Sequence, residues 1–205
     1  MSLAPPQALI AEVARGRPVI VVDDEDRENE GDLIVPADAV TPEIMAFVIR
    51  HTGGVVCLAL TCDQADDLDL PPMVSENTAA HGTAFTVSVD ATHGISTGIS
   101  AADRAQTVRS AVAPGAMPSD LARPGHVFPL RAADGGVLTR RGHTEAAVDL
   151  ARLAGRFPAA ILSELTHDDG TVRRAEGLDQ FARSHGIMMG SIADLIAHRR
   201  ATEIP

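Results

Sequence analysis

The sequence predicts one compact domain of the α/β or α+β sandwich type, a mixed sheet with helices, spanning residues 1–205. Three observations predict it. Val19, Ile20, Val21 and Val22 form a β-branched, continuously apolar run, the pattern of a strand buried on both faces. Segments with helical apolar spacing stand between such runs without the regular βαβ alternation of a barrel or a doubly wound nucleotide fold. The chain of 205 residues is long enough for one sizeable core, and no apolar segment approaches the roughly 20 residues of a membrane span.

Taken in order, residues 6–15 carry apolar groups at Leu9, Ile10 and Val13, helical spacing that Gly16 and Pro18 stop. The strand at 19–22 follows, then an acidic loop, then a second strand at Leu33, Ile34 and Val35 ended by Pro36. Thr41 and Pro42 suit the N-cap and first position of a helix through Ile44, Phe47, Val48 and Ile49, and Gly53 and Gly54 separate it from a strand around Cys57. Residues 83–89 alternate like a strand. Residues 99–112 read as a loop and then a helix, with Ser100 and Asp103 as its capping box. Residues 135–138 are expected to be a strand, followed by a helix that Thr144 caps and Gly155 closes. Late strands are expected at 160–162 and 187–189, with helices at 178–184 and 192–199.

Composition removes whole classes of chemistry. All 17 basic residues are arginine, and Lys, Trp and Tyr are absent. Schiff-base catalysis, pyridoxal phosphate attachment and a Walker-type nucleotide site all need a lysine amine, which arginine cannot replace. A net charge of −11 disfavours a broad nucleic-acid or anionic-membrane surface, so neither partner is expected. Cys57 and Cys62 are too few for an all-thiolate zinc site and match no redox dithiol spacing; Cys57, inside an apolar run, reads as a small buried hydrophobe before a reactive thiol. The first ten residues lack a basic start and a long apolar stretch, so a cytoplasmic location is expected.

Four segments are chemically unusual. Residues 23–32 place seven carboxylates in ten positions at a strand end. Such a loop is either a solvated acidic turn or a hard-cation site, for which Mg²⁺ is the natural ion. A calcium EF-hand is excluded, because a loop beginning at Asp26 has Ala37 where the final bidentate carboxylate belongs. Residues 135–145 combine glycines, Arg140, Arg141 and a helix start. That is either an anion cradle or an ordinary capped helix, and His143 lies within it. Residues 94–100 form a second glycine and hydroxyl loop, in which Ser96 and Thr97 are spare donors. His126 sits among Pro124, Gly125 and Pro129, which restrain the backbone around it. Glu164, at the end of an expected strand, is either a solvated carboxylate or an acid–base group.

The ordered segments DDEDRENEGDL at 23–33, STGISAADR at 96–104, RPGHVFPL at 123–130 and RRGHTEAAVDL at 140–150 closely resemble the 3,4-dihydroxy-2-butanone 4-phosphate synthase family of riboflavin biosynthesis. The resemblance extends from about Leu9 to Arg199. It implies a homodimer with active sites between subunits, Mg²⁺ (or Mn²⁺) as cofactor with two ions per site, and a sugar phosphate substrate. It further implies conversion of D-ribulose 5-phosphate to L-3,4-dihydroxy-2-butanone 4-phosphate and formate through enolisation, loss of water, a skeletal shift, hydration and formate expulsion. Position by position, Glu28 and His143 match the metal ligands. Arg27, Glu28, Asp32, Thr97, Glu164 and the run Arg140, Arg141, Gly142, His143 and Thr144 match substrate contacts. His126 and Glu164 match residues essential to catalysis, with Asp23 and Glu30 in the proton-transfer network.

Arg141 stands where relatives often carry a small residue, and either adds to the phosphate site or points outward. The lack of further cysteines implies a monofunctional chain without a zinc-dependent cyclohydrolase domain. Two other readings remain: a metal-dependent sugar-phosphate isomerase or aldolase, which would release no formate, and an inactive acidic interaction or metal-buffering protein, which would need neither His126 nor Glu164.

Overall fold

The computed structural model describes residues 3–202. Seven strands form one mixed sheet in the order β4-β5-β3-β6-β2-β1-β7, where β1 is Val19–Val22, β2 Gly31–Pro36, β3 Cys57–Leu60, β4 Val89–Ala91, β5 Leu121–Arg131, β6 Ala160–Glu164 and β7 Met188–Ser191. β1 and β2 are an antiparallel hairpin around the acidic loop, and β2 pairs antiparallel with β6, setting Asp32 opposite Glu164.

Helices cover both faces because the strands alternate their apolar side chains. Ile20, Leu33, Leu58 and Ile161 face α2 (Pro42–His51), α4 (Ala101–Ala111) and α6 (Ala175–His185), where they meet Met45, Val48, Val108, Leu178 and Phe181. Val21, Ile34, Ala59 and Leu162 face the other way, against Leu9 of α1 (Pro6–Ala14), Leu150 of α5 (His143–Leu153) and Leu195 of α7 (Ile192–Thr202). The result is the expected sandwich, with each core sealed by a helical layer.

Several local expectations are corrected. Residues 135–138 are not a strand: Gly135 and Gly136 have φ of +86° and +62°, and the left-handed backbone leads into a short 3₁₀ turn at Gly136–Leu138. Thr144 is not the N-cap of α5; Gly142 is, and Thr144 lies buried within the first turn. Of residues 83–89 only Val89 joins a strand, because Phe85 and Thr86 make isolated bridges to Leu130 and Pro72 instead of a ladder. The long β5 and the short α3 (Cys62–Asp67), the latter held by a capping box between Thr61 and Gln64, were not expected. Ser100 does accept from the Asp103 N–H, but the Asp103 carboxylate turns to the 96–98 loop instead of closing the box.

Candidate active site

The acidic loop is organised from within by Asp23. Its Oδ1 accepts the Glu30 N–H at 2.9 Å, while Oδ2 accepts the Glu28 N–H at 3.0 Å and the Arg27 guanidinium at 2.9 Å. Arg27 also donates to the Glu28 carboxylate. Asp23 therefore spends its acceptors on folding the loop, with the effect that Glu28 is aimed across the sheet toward the start of α5.

There His143 waits, 5% exposed, because β2 and α5 pack face to face. Its Nδ1 lies 3.5 Å from Glu28 Oε2 and 3.9 Å from Asp32 Oδ1. Asp23, Glu28 and His143 each offer a ligand atom within 4.8 Å of the others, the geometry of a cation site. Two buried polar atoms in the cluster, Asp32 Oδ1 and His143 Nε2, have no hydrogen-bond partner in the structure.

The electrostatics follow from this crowding. The hydrogen bond from His143, aided by Arg27, outweighs burial and holds Glu28 down at about 2. Burial foremost, with the neighbouring carboxylates, pushes Asp32 up to about 7 against the opposing pull of His143. Burial works against charge on the His143 ring, but Asp32, Glu28 and Asp23 together raise it to about 9. Glu30 is raised by burial and by the charges of Glu164 and Glu28.

A cavity of about 90 Å³ opens beside these groups, lined among others by Arg27, Glu28, Asp32, Arg140, His143, Thr144 and Glu164. Arg140 forms part of its wall. One guanidinium nitrogen donates to Glu145 Oε2 at 2.7 Å, and another to the His81 carbonyl at 3.0 Å. Glu145 is 1% exposed and also accepts the Ala133 N–H, so it is a fixed mount for Arg140. Gly142 lets the pair lie close against the backbone, since a Cβ there would press on the Arg140 guanidinium and Glu145 Oε2. No side chain caps α5, which leaves its amino-terminal end facing the cavity that Thr144 and His143 line.

The expected residues thus divide. Arg27, Glu28, Asp32, Arg140, His143, Thr144 and Glu164 come together around the cavity, with Asp23, Glu30 and Gly142 in the surrounding framework. Arg141 points outward, its side chain 60% exposed and paired with Asp24 at 2.7 Å. His126 and Thr97 do not line the cavity; they lie near one another beside β4, where His126 bonds Asp90. Cys57 also lines it, and burial raises its thiol. Glu145 and Asp90 gave no sequence signal of their own, although Glu145 occupies the third position of a helix led by a glycine.

This arrangement can bind a divalent cation and an anionic group side by side. The sequence model of 3,4-dihydroxy-2-butanone 4-phosphate synthase matches residues 7–198. The chain belongs to that family. It is an enzyme of riboflavin biosynthesis, and its similarity to relatives of the synthase family runs the length of the fold. The 3,4-dihydroxy-2-butanone 4-phosphate synthase of Escherichia coli O1:K1 / APEC is 58% identical over 194 residues, covering 95% of this chain and 89% of the relative. The riboflavin biosynthesis protein RibBA of Salinispora arenicola (strain CNS-205) is also 58% identical, but the chain spans only 46% of its length. A solved 3,4-dihydroxy-2-butanone 4-phosphate synthase in complex with two magnesium ions superposes with a TM-score of 0.94 at 47% identity, over 98% of each chain. Among the described residues no helix is long and apolar enough to cross a membrane.

Proposed function

We propose that the protein converts D-ribulose 5-phosphate to L-3,4-dihydroxy-2-butanone 4-phosphate and formate, with two Mg²⁺ ions, or Mn²⁺, at a site shared between two copies of the chain in the cytoplasm. The observation that carries this reading is the convergence of Glu28, Asp32 and His143 on one small cavity that Arg140 and the uncapped start of α5 also line. The donor set fits the ion: a carboxylate kept ionised, an imidazole, and buried atoms of Asp32 and His143 that lack partners. Glu28 and His143 would hold the metal, with Asp23 and Asp32 behind them. When bound, the ions supply polarisation of adjacent carbonyl and hydroxyl oxygens on a ketose.

The chain's own residues do the rest. Arg140 and the amino-terminal turn of α5 hold the phosphate, and the fixed mount on Glu145 keeps the guanidinium from having to reorganise. Arg27, tied to Asp23 and Glu28, contacts the sugar phosphate from the loop side. Glu164, opposite Asp32 across the β2/β6 ladder, and Glu30 on the acidic loop exchange protons with the sugar hydroxyls. His126 and Thr97 enter this reading from the second copy, since within one chain they stand outside the cavity.

The reaction proceeds by enolisation, loss of the terminal hydroxyl as water, a skeletal shift, and hydration followed by departure of C4 as formate. The water lost is regained at hydration, so five carbons leave as four and one with no redox partner. The test is formate release from purified, chelator-stripped protein given D-ribulose 5-phosphate, with and without added Mg²⁺. Metal-dependent formate is expected. Isomerised pentose phosphate without formate would overturn the reading.

A further inference from the structure

The acidic loop, residues 23–30, carries six carboxylates against one cation, Arg27. Charge of one sign at that density drives a loop outward unless something draws it in. Among the described residues, its hydrogen bonds and ion pairs to the rest of the chain run to His143 and to two arginines. Arg141 donates to Asp24 Oδ2 at 2.7 Å. Arg174 donates from one guanidinium nitrogen to the Glu28 carbonyl at 3.1 Å, and its other nitrogen lies 3.6 Å from Glu30 Oε1. Arg141 directly precedes the N-cap of α5, and Arg174 is itself the N-cap of α6. Those helices cover opposite faces of the sheet, so the loop is gripped from both layers, near its first residue and near its last.

Both arginines stand where a helix disfavours a cation. The amino-terminal end of a helix carries partial positive charge, and its cap is ordinarily Ser, Thr, Asp or Asn. Arg174 makes no capping bond with its side chain, and Ala175 after it has φ +35°, a left-handed backbone uncommon for a residue with a Cβ. Gly31, at the foot of the loop, approaches α6 so closely that a Cβ would stand 2.8 Å from the Leu178 methyl carbons. Arg140 and Arg141, consecutive in the chain, diverge: the first is mounted on Glu145 in the cavity wall, the second reaches Asp24.

We propose that Arg141 and Arg174 are positioning residues for the ion site: drawing on the acidic loop from opposite layers, they hold Glu28 against His143 before a cation arrives. The inference rests on the reading of Glu28 and His143 as ion ligands. It accounts for two cations at unfavourable helix ends and for a grip on the backbone of Glu28 itself. An ion that binds only the closed loop loses affinity in proportion to the time the loop spends open, and the two arginines keep that time short.

The sign of the effect separates a clamp from a mere field. A positive charge near a cation site weakens binding by repulsion, so arginines acting only through their charge would, on removal, tighten Mg²⁺. Removing a clamp loosens it. The experiment is calorimetric titration of Mg²⁺ into the chelator-stripped wild type, Arg141→Ala and Arg174→Ala. Beside it, hydrogen exchange is read in the ion-free proteins at the Glu28 and Glu30 amides, which Asp23 holds. Expected in each variant are a rise in the Mg²⁺ Kd of about 1.5–5-fold, the range of an exposed ion pair, and faster exchange at both amides. A Kd that falls or stays, or exchange that does not quicken, overturns the proposal and leaves the ion site standing. A wild type that binds no Mg²⁺ overturns the ion-site reading, and the proposal with it. Should the variants not fold, the wild type decides alone. Its exchange at the two amides should quicken as ionic strength rises from about 0.01 to 1 M, where the Debye length shrinks from about 30 to 3 Å; exchange indifferent to salt overturns the clamp.

Discussion

Helix α5 buries charge twice, and the two places are built differently. At its first turn His143 faces Glu28 and Asp32, yet His143 Nε2 and Asp32 Oδ1 are left without hydrogen-bond partners. Two turns on, Asp149 is 2% exposed and well served: Oδ2 accepts the Val137 N–H at 2.8 Å and Arg199 at 2.7 Å, and Arg199 also reaches the Gly135 carbonyl at 2.7 Å. Each unsatisfied buried polar group costs about 1–3 kcal/mol. A fold that meets this demand at Asp149 and not at His143, on the same helix, commits the second cluster to the fold and leaves the first open to the ion proposed for it.

The largest effect on stability is expected where satisfaction is complete. Asp149→Ala removes the buried carboxylate from Arg199 and an acceptor from Val137. Breaking such a pair costs about 3–5 kcal/mol, which for a chain of this size lowers Tm by roughly 6–20 °C. Calorimetry should show that loss, while kcat per folded molecule stays near wild type. A large fall in kcat with unchanged Tm would reverse the two assignments.

The complementary substitution lies at the other cluster. Glu28→Gln keeps the shape of the loop but removes a charge that Arg27 and His143 hold ionised. Mg²⁺ at 100 times its Kd should stabilise the wild type by about 2.7 kcal/mol, or roughly 5–11 °C, and E28Q should lose that rise. Formate release should fall beyond the about 10–100-fold typical of residues that merely support metal ligands. An undiminished Mg²⁺ response in E28Q would remove Glu28 from the ion site.

This contrast also explains what could be read from the chain beforehand. The acidic loop and the start of α5 were legible because their oddity is local: seven carboxylates in ten residues, and a glycine, histidine and arginines before an alanine-rich helix. The strands at Val19–Val22 and Gly31–Pro36 were legible because both faces are buried and the apolar run is continuous. β5 was not, since Pro124, Gly125 and Pro129 argue against a strand, and only a four-residue bulge and a close approach to Val89 reconcile them with one. The strand expected at 135–138 failed for the opposite reason: an apolar stretch hid two left-handed glycines. Asp90 and Glu145 were invisible because their importance lies in what they touch, which no spacing along the chain encodes.

The smallest expected effect concerns a third carboxylate, Asp103, which sharpens the comparison because it is satisfied by a loop instead of by an arginine. It accepts the Ser96 hydroxyl at 2.8 Å, the Ser96 N–H at 3.2 Å and the Gly98 N–H at 3.1 Å. The Ser96 hydroxyl foremost, with the backbone donors and against the cost of burial, holds its carboxyl below the ordinary range. A folded value below the unfolded one, about 3.9, means that this contribution is present above about pH 4 and disappears as pH falls through the folded value. Asp103→Asn should therefore lower Tm at pH 7 by less than Asp149→Ala does, and the gap from wild type should narrow steadily between about pH 4 and pH 3. If the gap instead stays constant to pH 3, Asp103 holds the 96–98 loop by shape and not by charge. The loop above His126 would then be as indifferent to protonation as the Asp149 cluster is to Mg²⁺.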